Sequence, residues 1–342
     1  MGKVVCFGEV MLRLSPPGYY RLQQTNSFDV VFGGAEANVS VSLANYGEEA
    51  AFVCAIPKNP IGDACLNSLR WFGVDTSMAP RQGERLGIYY CEKGASMRPS
   101  KVVYDRKYSA MSAVKPGDFD WDKILADATW LHWTGITPAI SDGAAAVTLE
   151  ACKAAKARGI TISCDLNYRK NLWSREKAGQ VMSELVPYVD VLIANEEDSA
   201  DVFGIHADAT DINTGKLSVE GYKSAATQLG DRFGCKKIAI TLRESISASD
   251  NNWSGMLYDA ESGEISVSKK YSIHIVDRVG GGDSFGSGLI YALRNGYDNQ
   301  GAVEFAVAAS ALKHTIEGDF NMVSLDEVKS LMKGNASGRV QR

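Results

Sequence analysis

Asp277-Arg278-Val279-Gly280-Gly281-Gly282-Asp283-Ser284-Phe285-Gly286-Ser287-Gly288 sets three consecutive glycines directly before a carboxylate. Glycines turn a backbone tightly and leave its amides open to approach. Phe285, Leu289, Ile290 and Leu293 then recur at near-helical spacing as far as Gly296, so a helix opens at the turn. Unpaired amides at a helix start, with the helix dipole behind them, attract an anion. Asp283 at that start is either a helix cap or a general base beside an anion site. The second arrangement is the one phosphoryl transfer needs. The amides of Gly280, Gly281, Gly282 and Asp283 would stabilise charge on the moving group, and the carboxylate would take the acceptor hydroxyl's proton. Gly286 and Gly288 favour it, since glycine inside a helix costs about 1 kcal/mol relative to Ala and implies a close neighbour.

A second glycine pair stands near the N-terminus in Gly33-Gly34-Ala35-Glu36-Ala37-Asn38, ahead of a helical pattern of Ala35, Val39, Leu43 and Tyr46 that Gly47 stops. Two glycines admit a polyol close to the backbone, and Asn38 offers both a donor and an acceptor; a structural role is the alternative. No GxxxxGK[ST] stretch occurs, and no G-x-G-x-x-G lies in an N-terminal strand-to-helix turn. A P-loop and a nicotinamide-dependent oxidoreductase both lack their fingerprint. The four histidines, His132, His206, His274 and His314, show no metal-ligand spacing.

Such groups need a frame. Val4 to Gly8, Ala51 to Ile56, Ile160 to Asp165, Val189 to Asn195 and Lys237 to Leu242 read as buried strands. Helical patterns lie between them, including Ala144 to Arg158, stopped by Gly159, and Ser218 to Leu229, stopped by Gly230. The alternation predicts an α/β fold with a mostly parallel central sheet and helices on both faces. Ligands then sit beyond the carboxyl ends of the strands. Leu12 to Phe32 and Leu86 to Met111 break the alternation. They read as a small β-rich flap, either a working lid or a peripheral hairpin. Gly334 to Arg342 reads as a tail.

The 342 residues are 45% hydrophobic and 23% charged, with a net charge of -5. No excess of cations is available for phosphate neutralisation along a polymer, which argues against a nucleic-acid partner. Seven cysteines stand singly without a C-x-x-C pair, a pattern of reduced core thiols in a cytoplasmic protein. No stretch is long and apolar enough for a membrane span.

The two glycine motifs carry a resemblance. Asp277 to Asp283 resembles the DTxGAGD signature of PfkB-type sugar kinases, with Gly281 for the usual Ala and Arg278 for the usual Thr; Gly33 to Asn38 resembles the second signature. The resemblance implies a ribokinase-like fold: a body over 1–11, 33–85 and 113–334, a β lid over 12–32 and 86–112, and a tail over 335–342. Phe7 to Leu14, Gly87-Ile88-Tyr89, Tyr104-Asp105-Arg106, Asp165 to Arg169 and Lys313-His314-Thr315 look most like 2-keto-3-deoxygluconate kinases. A sugar acid needs cations, and Arg matches a carboxylate with a planar fork.

By resemblance, Gly33, Gly34, Asn38, Tyr89, Tyr104, Arg106, Arg169 and Asp319 would form the substrate site, with Arg13 a further cation, each Arg being otherwise a surface charge. Asn195-Glu196-Glu197-Asp198 resembles the NxxE motif, one methylene shorter at Asp198, and would organise Mg²⁺ through water near Asn195 and Asp198; an acidic helix start is the alternative. Thr241 and Arg243 stand where the family shows T-x-G-x-x-G, with Arg243 and Ile246 replacing glycines. With Gly280, Gly282, Ala309 and Leu312 they would take ATP. Asp277 would support the turn or a monovalent cation. The expected assembly is a homodimer through the lid. Rival readings are a kinase for a neutral sugar or nucleoside, and a sugar-acid sensor without turnover.

Overall fold

Short apolar runs build the centre of the molecule. β1 (Lys3–Phe7), β4 (Ala50–Val53), β8 (Thr161–Asp165) and β9 (Val191–Ala194) are buried almost throughout, as strands covered on both faces must be. The remaining strands are β2 (Met11–Ser15), β3 (Asp29–Gly33), β5 (Gly87–Glu92), β6 (Lys101–Asp105), β7 (Ala128–Thr134), β10 (Lys237–Ser245), β11 (Asp250–Asp259), β12 (Glu264–Val267) and β13 (Tyr271–His274). The computed structural model describes residues 2–195, 197–207 and 219–335.

The large sheet runs β12-β11-β10-β9-β8-β7-β1-β4, with β13 also on β11. From β10 to β4 all neighbours are parallel, while β11, β12 and β13 join antiparallel. Helices cover both faces, as the sequence pattern implied. Strand order reverses at β1, between β4 on one side and β7 on the other, so the carboxyl ends around β1 open a crevice. Among the described residues no helix is long and apolar enough to cross a membrane.

The sequence reading differs from the structure in five places. β7 carries Trp130, His132 and Trp133 in place of a β-branched run, and β11 opens with Asp250, Asn251 and Asn252, so neither announced itself. β10 does not end at Leu242 but continues to Ser245 as a hairpin with β11. Gly230 does not stop its helix, which spans Val219–Phe233 and ends before Gly234 at φ 76°. Ser218 and 336–342 lie outside the described residues. Finally, Gly288 is small because the helix Asn299–Lys313 packs on it: a Cβ there would stand 2.9 Å from Ala306 Cα. The close neighbour inferred at Gly288 is a helix, not a ligand.

The second sheet, β3-β2-β5-β6, is the flap. β6 is exposed along its whole length. The inner side is tied to the body by charge. Arg13 of β2, only 2% exposed, gives Nη2 to Asp277 Oδ2 at 2.7 Å and Nη1 to Asp319 Oδ1 at 2.8 Å. Its Nε donates to Ser15 Oγ at 2.8 Å. Tyr89 of β5 donates its hydroxyl to the other oxygen of Asp319. Arg13 is therefore no surface cation and no substrate ligand; both forks are spent inside the protein.

Removing one partner of a buried pair strands the other's charge. Arg13→Ala leaves Asp277 and Asp319 without their cation, and urea unfolding should show a loss of about 3–5 kcal/mol. A loss below about 1 kcal/mol would show that the pair does not hold the flap to the body.

Candidate active site

A cavity of about 1090 Å³ lies between the two sheets, at the carboxyl ends of the parallel strands. Glu9 just beyond β1, Asp165 at the end of β8, Asn195 just beyond β9 and Thr241 in β10 all line it. The strand order alone explains why residues so far apart in sequence converge.

Asp283 sits in the first turn of the helix Gly281–Arg294. Gly280 before it adopts φ 84°, and a Cβ there would lie 2.2 Å from the Asp319 carbonyl oxygen, so only glycine fits. A Cβ on Gly281 would reach 2.5 Å from His314 Cε1, which is the physical reason for glycine at this position. Gly282 has open space around its Cα and lines the cavity. The helix start has no side-chain cap; the Gly281 amide donates to the Arg278 carbonyl at 3.3 Å, and among the described residues the amides of Gly282 and Asp283 are left to an anion. Asp277 holds the turn: Oδ1 accepts from Val279 N at 3.1 Å, and Oδ2 accepts from Gly318 N at 3.1 Å as well as from Arg13.

Asp283 is half-buried and opens onto the cavity. Burial pushes its pKa up to about 6; the hydrogen bond from Asn38 opposes this, and the charge of Asp319 adds to it. Asn38 Nδ2 donates to Asp283 Oδ2 at 2.6 Å. The two glycine motifs therefore meet at one contact. Asp283 is not the side-chain cap of its own helix; it is a raised carboxylate, oriented by an amide and facing empty space.

Around it stand the groups expected to read a substrate. Gly34, Asn38, Tyr89, Tyr104, Arg106, Arg169 and Asp319 all line the cavity, whereas Gly33 does not. A Cβ on Gly33 would fall 2.0 Å from Asp319 Oδ2, and one on Gly34 would fall 2.0 Å from the Glu9 carbonyl. Gly33 makes room for a buried carboxylate, not for a polyol. Arg106 stacks over Tyr104, 5.7 Å from the ring centroid, and donates to Glu9. Its Nε is buried and, among the described residues, has no hydrogen-bond partner, while the residue itself borders the cavity. Arg169 is exposed, and its charge acts on Asp165, Asp198 and Asp283.

Sequence reasoning assigned no role to Glu9, Glu36 or Asp165. Glu36 Oε1 accepts from Thr137 Oγ1 at 2.7 Å, Thr134 Oγ1 at 2.8 Å and Thr134 N at 2.9 Å. Burial lifts its pKa to about 7, these donors opposing. The signal for it was an acid inside an apolar helix face directly after two glycines.

The side expected to take ATP is less uniform. Asp198 Oδ1 accepts from Tyr168 N and Oδ2 from Asn195 N, each at 3.1 Å, so this acid staples the loop after β8 to the one after β9. Asn195 Oδ1 in turn accepts from the amides of Glu197 and Asp198; Glu196 lies outside the described residues. Thr241 and Arg243 sit within β10, two apart on one face, and both line the cavity. Because β10 runs on as a strand, the glycines of T-x-G-x-x-G are not needed. Arg278 and His314 line the same region, unforeseen. Ala309 and Leu312 do not line it; Ala309 packs against Gly288.

A divalent cation would find negative charge here. Burial pushes the Asp165 carboxyl well above its ordinary range, and the nearby charges of Asp198 and Asp283 push the same way. Among the described residues no group of three His, Cys, Asp or Glu side chains could hold a metal alone. Those acids suit an ion that keeps most of its water, as Mg²⁺ does.

A parallel sheet with an anion-binding turn beside a raised carboxylate, closed by a second sheet, defines an α/β phosphotransferase of the ribokinase-like class. The chain belongs to the pfkB family of carbohydrate kinases, whose family model matches residues 1–323. The crystal structure of a Thermotoga maritima 2-dehydro-3-deoxygluconokinase is 51% identical, with a TM-score of 0.94, covering 98% of this chain and 100% of that one. A 2-dehydro-3-deoxygalactonokinase of Haloferax volcanii is 32% identical over 98% of each chain. An E. coli chain of the ribokinase II type, crystallised with ATP and Mg²⁺, is 19% identical with a TM-score of 0.77, over 97% of this chain and 99% of that one; this likeness speaks for the fold.

A base must be ionised to accept a proton, and a pKa raised to about 6 places its limb above the ordinary carboxylate range. The kcat/KM for phosphoryl transfer should fall about tenfold per unit below pH 6 and level off above it, while the residual rate of Asp283→Asn stays flat. A limb near pH 4 in the wild type would separate the titrating base from Asp283.

Proposed function

We propose that this carbohydrate kinase transfers the γ-phosphoryl group of ATP to the 6-hydroxyl of 2-keto-3-deoxygluconate (2-dehydro-3-deoxygluconate). The carrying observation is Asp283, held by Asn38 beside the amides of Gly282 and Asp283 at an uncapped helix start, in a cavity that Arg106 and Arg169 also face. The names of the Thermotoga and Haloferax relatives support a keto-deoxy sugar acid as the acceptor class.

In this reading Asp283 takes the proton as the acceptor's O–H bond breaks. The new bond forms between that oxygen and the γ-phosphorus, and the bridging P–O bond breaks to release ADP. The amides of the glycine turn stabilise charge on the moving group. Mg²⁺, when bound, neutralises phosphate charge, and Asp165 with Asn195 would hold it through water. Arg169 and Arg106 would take the substrate carboxylate, and Arg243 a phosphate of the nucleotide. The flap excludes water from the reacting group.

ADP release with Mg²⁺-ATP against a panel of 2-keto-3-deoxygluconate, its galactonate epimer, fructose, ribose and adenosine tests the reading. Turnover is expected on the keto-deoxy acids. Asp283→Asn should lose about 10²–10⁴ in kcat with substrate binding kept, and Arg169→Ala should raise KM for the acid at least about tenfold. Turnover on a neutral sugar alone would remove the carboxylate reading and keep the kinase. Binding without turnover on any member would favour a sensor.

The flap also supports an assembly. β3 and β6 are its open edges, and Val30, Val102 and Val103 are exposed there. Edges and apolar patches of this kind call for cover, so a second copy pairing through the flap is proposed. Light scattering should give twice the chain mass; a monomer at micromolar concentration removes the pairing.

A further inference from the structure

Lys313 is the last residue of the helix Asn299–Lys313, and it is fully buried. An ammonium without water carries a large desolvation penalty unless its charge is used. Its Nζ donates to one group, the Ile316 carbonyl, at 3.1 Å. An ammonium has three donors, and among the described residues this one forms no ion pair. Burial lowers its pKa, while Asp277, Asp319 and Asp283 favour its charged form and Arg13 opposes it. It is therefore a cation shared by three carboxylates and owned by none.

Its place in the fold says what the charge does. The lysine stem passes under the glycine turn: a Cβ on Gly280 would stand 3.2 Å from Lys313 Cε. The Lys313 stem and the Asp319 carbonyl thus back the Cβ side of Gly280, while Gly280 and Gly282 also line the cavity. Asp277, Asp319 and ionised Asp283 carry three negative charges, and Arg13 offsets one of them. The other two face cations that form no ion pair with them among the described residues: the exposed Arg169, which acts on Asp283 from the cavity, and Lys313, which acts on all three carboxylates from behind the turn.

We propose that Lys313 is an electrostatic positioning residue for phosphoryl transfer: a tethered cation that offsets the carboxylates behind the Gly280 turn, so that less negative charge opposes the phosphoryl group its amides receive. It touches neither substrate; it acts through the turn. Because the charge is covalently fixed, no dissociable monovalent cation is required there. The inference rests on the kinase reading, and it deepens that reading by naming what powers its anion hole.

Lys313→Met keeps the stem and removes the charge, while Lys313→Ala also opens space for a small cation. With 2-keto-3-deoxygluconate and Mg²⁺-ATP, Lys313→Met should lose about 10- to 100-fold in kcat, a weaker loss than that of a direct oxyanion donor, with KM for Mg²⁺-ATP changed less than about threefold. Lys313→Ala should regain rate saturably in KCl or NH₄Cl, but not in tetramethylammonium chloride at equal ionic strength. The wild type should be indifferent to all three. A Lys313→Met enzyme with wild-type kcat overturns the proposal, and so does a Lys313→Ala deficit that K⁺ and NH₄⁺ leave unmoved. If Lys313→Ala does not fold, Lys313→Met decides.

A second readout needs no acceptor. The gain in Tm from adding tetrafluoroaluminate to Mg²⁺-ADP, which mimics the transferring group, should shrink in Lys313→Met while the gain from Mg²⁺-ADP alone is kept. Equal gains in both proteins overturn the proposal. A wild type inert on the whole panel would defeat the sugar-acid reading and leave this measurement standing.

Discussion

Arg13 reaches two carboxylates at once, and most of the active-site geometry hangs from that fork. One arm fixes Asp277, whose oxygens also gather the amides of Val279 and Gly318 and so shape the glycine turn. The other fixes Asp319, which Tyr89 grips from the flap and for which Gly33 leaves room. A buried ion cluster is weak evidence for net stability, because desolvation consumes much of the attraction. Its value here is registration. Three segments distant in sequence, β2, the turn before Asp283 and the loop after Lys313, can satisfy these charges together in one relative position, and that position aligns the flap with the anion hole.

The sheet supplies the complementary constraint. Reversal of strand order at β1 gathers the ends of β1, β8 and β9, so acidic and amide side chains from separate crossovers meet in one crevice. Crowded carboxylates raise one another's pKa. Asp165 and Asp283 both show this, with burial the larger cause in each. For Asp283 the result is a base poised within reach of neutral pH. For Asp165 it is an unmet demand for positive charge. The same crowding that would trouble an ordinary core tunes this one.

Much of this was legible in the sequence, because local chemistry and local structure coincide where it matters. Three glycines before an acid and two glycines before a helix announce turns that few other residues can make, and the Asn38 to Asp283 contact joins them. The parallel core was visible in its apolar runs. What stayed hidden were properties of pairing. Arg13 looked like any cation until Asp277 and Asp319 closed on it. Gly288 looked functional until a neighbouring helix occupied the space. β10 outran its apolar stretch because β11 pairs with it, which turned Arg243 from a loop residue into a strand residue. Lys313 is the clearest case. Nothing in its neighbours along the chain tells that a lysine at the end of an apolar helix points inward, since the reason lies in carboxylates far away in sequence.

The seven thiols, all free and all buried, have a consequence of another kind. Burial holds each well above the ordinary thiol range, with Cys91 up to about 11 and Cys65, Cys152 and Cys235 up to about 12. A thiolate is the reactive form, so an alkylating reagent meets essentially none in the closed protein. Cys91 lies in β5 of the flap, whereas the other six belong to the body. The chain thus carries its own two-handed clock: alkylation of Cys91 keeps time for the flap lifting away, and alkylation of the remaining six keeps time for the body coming apart.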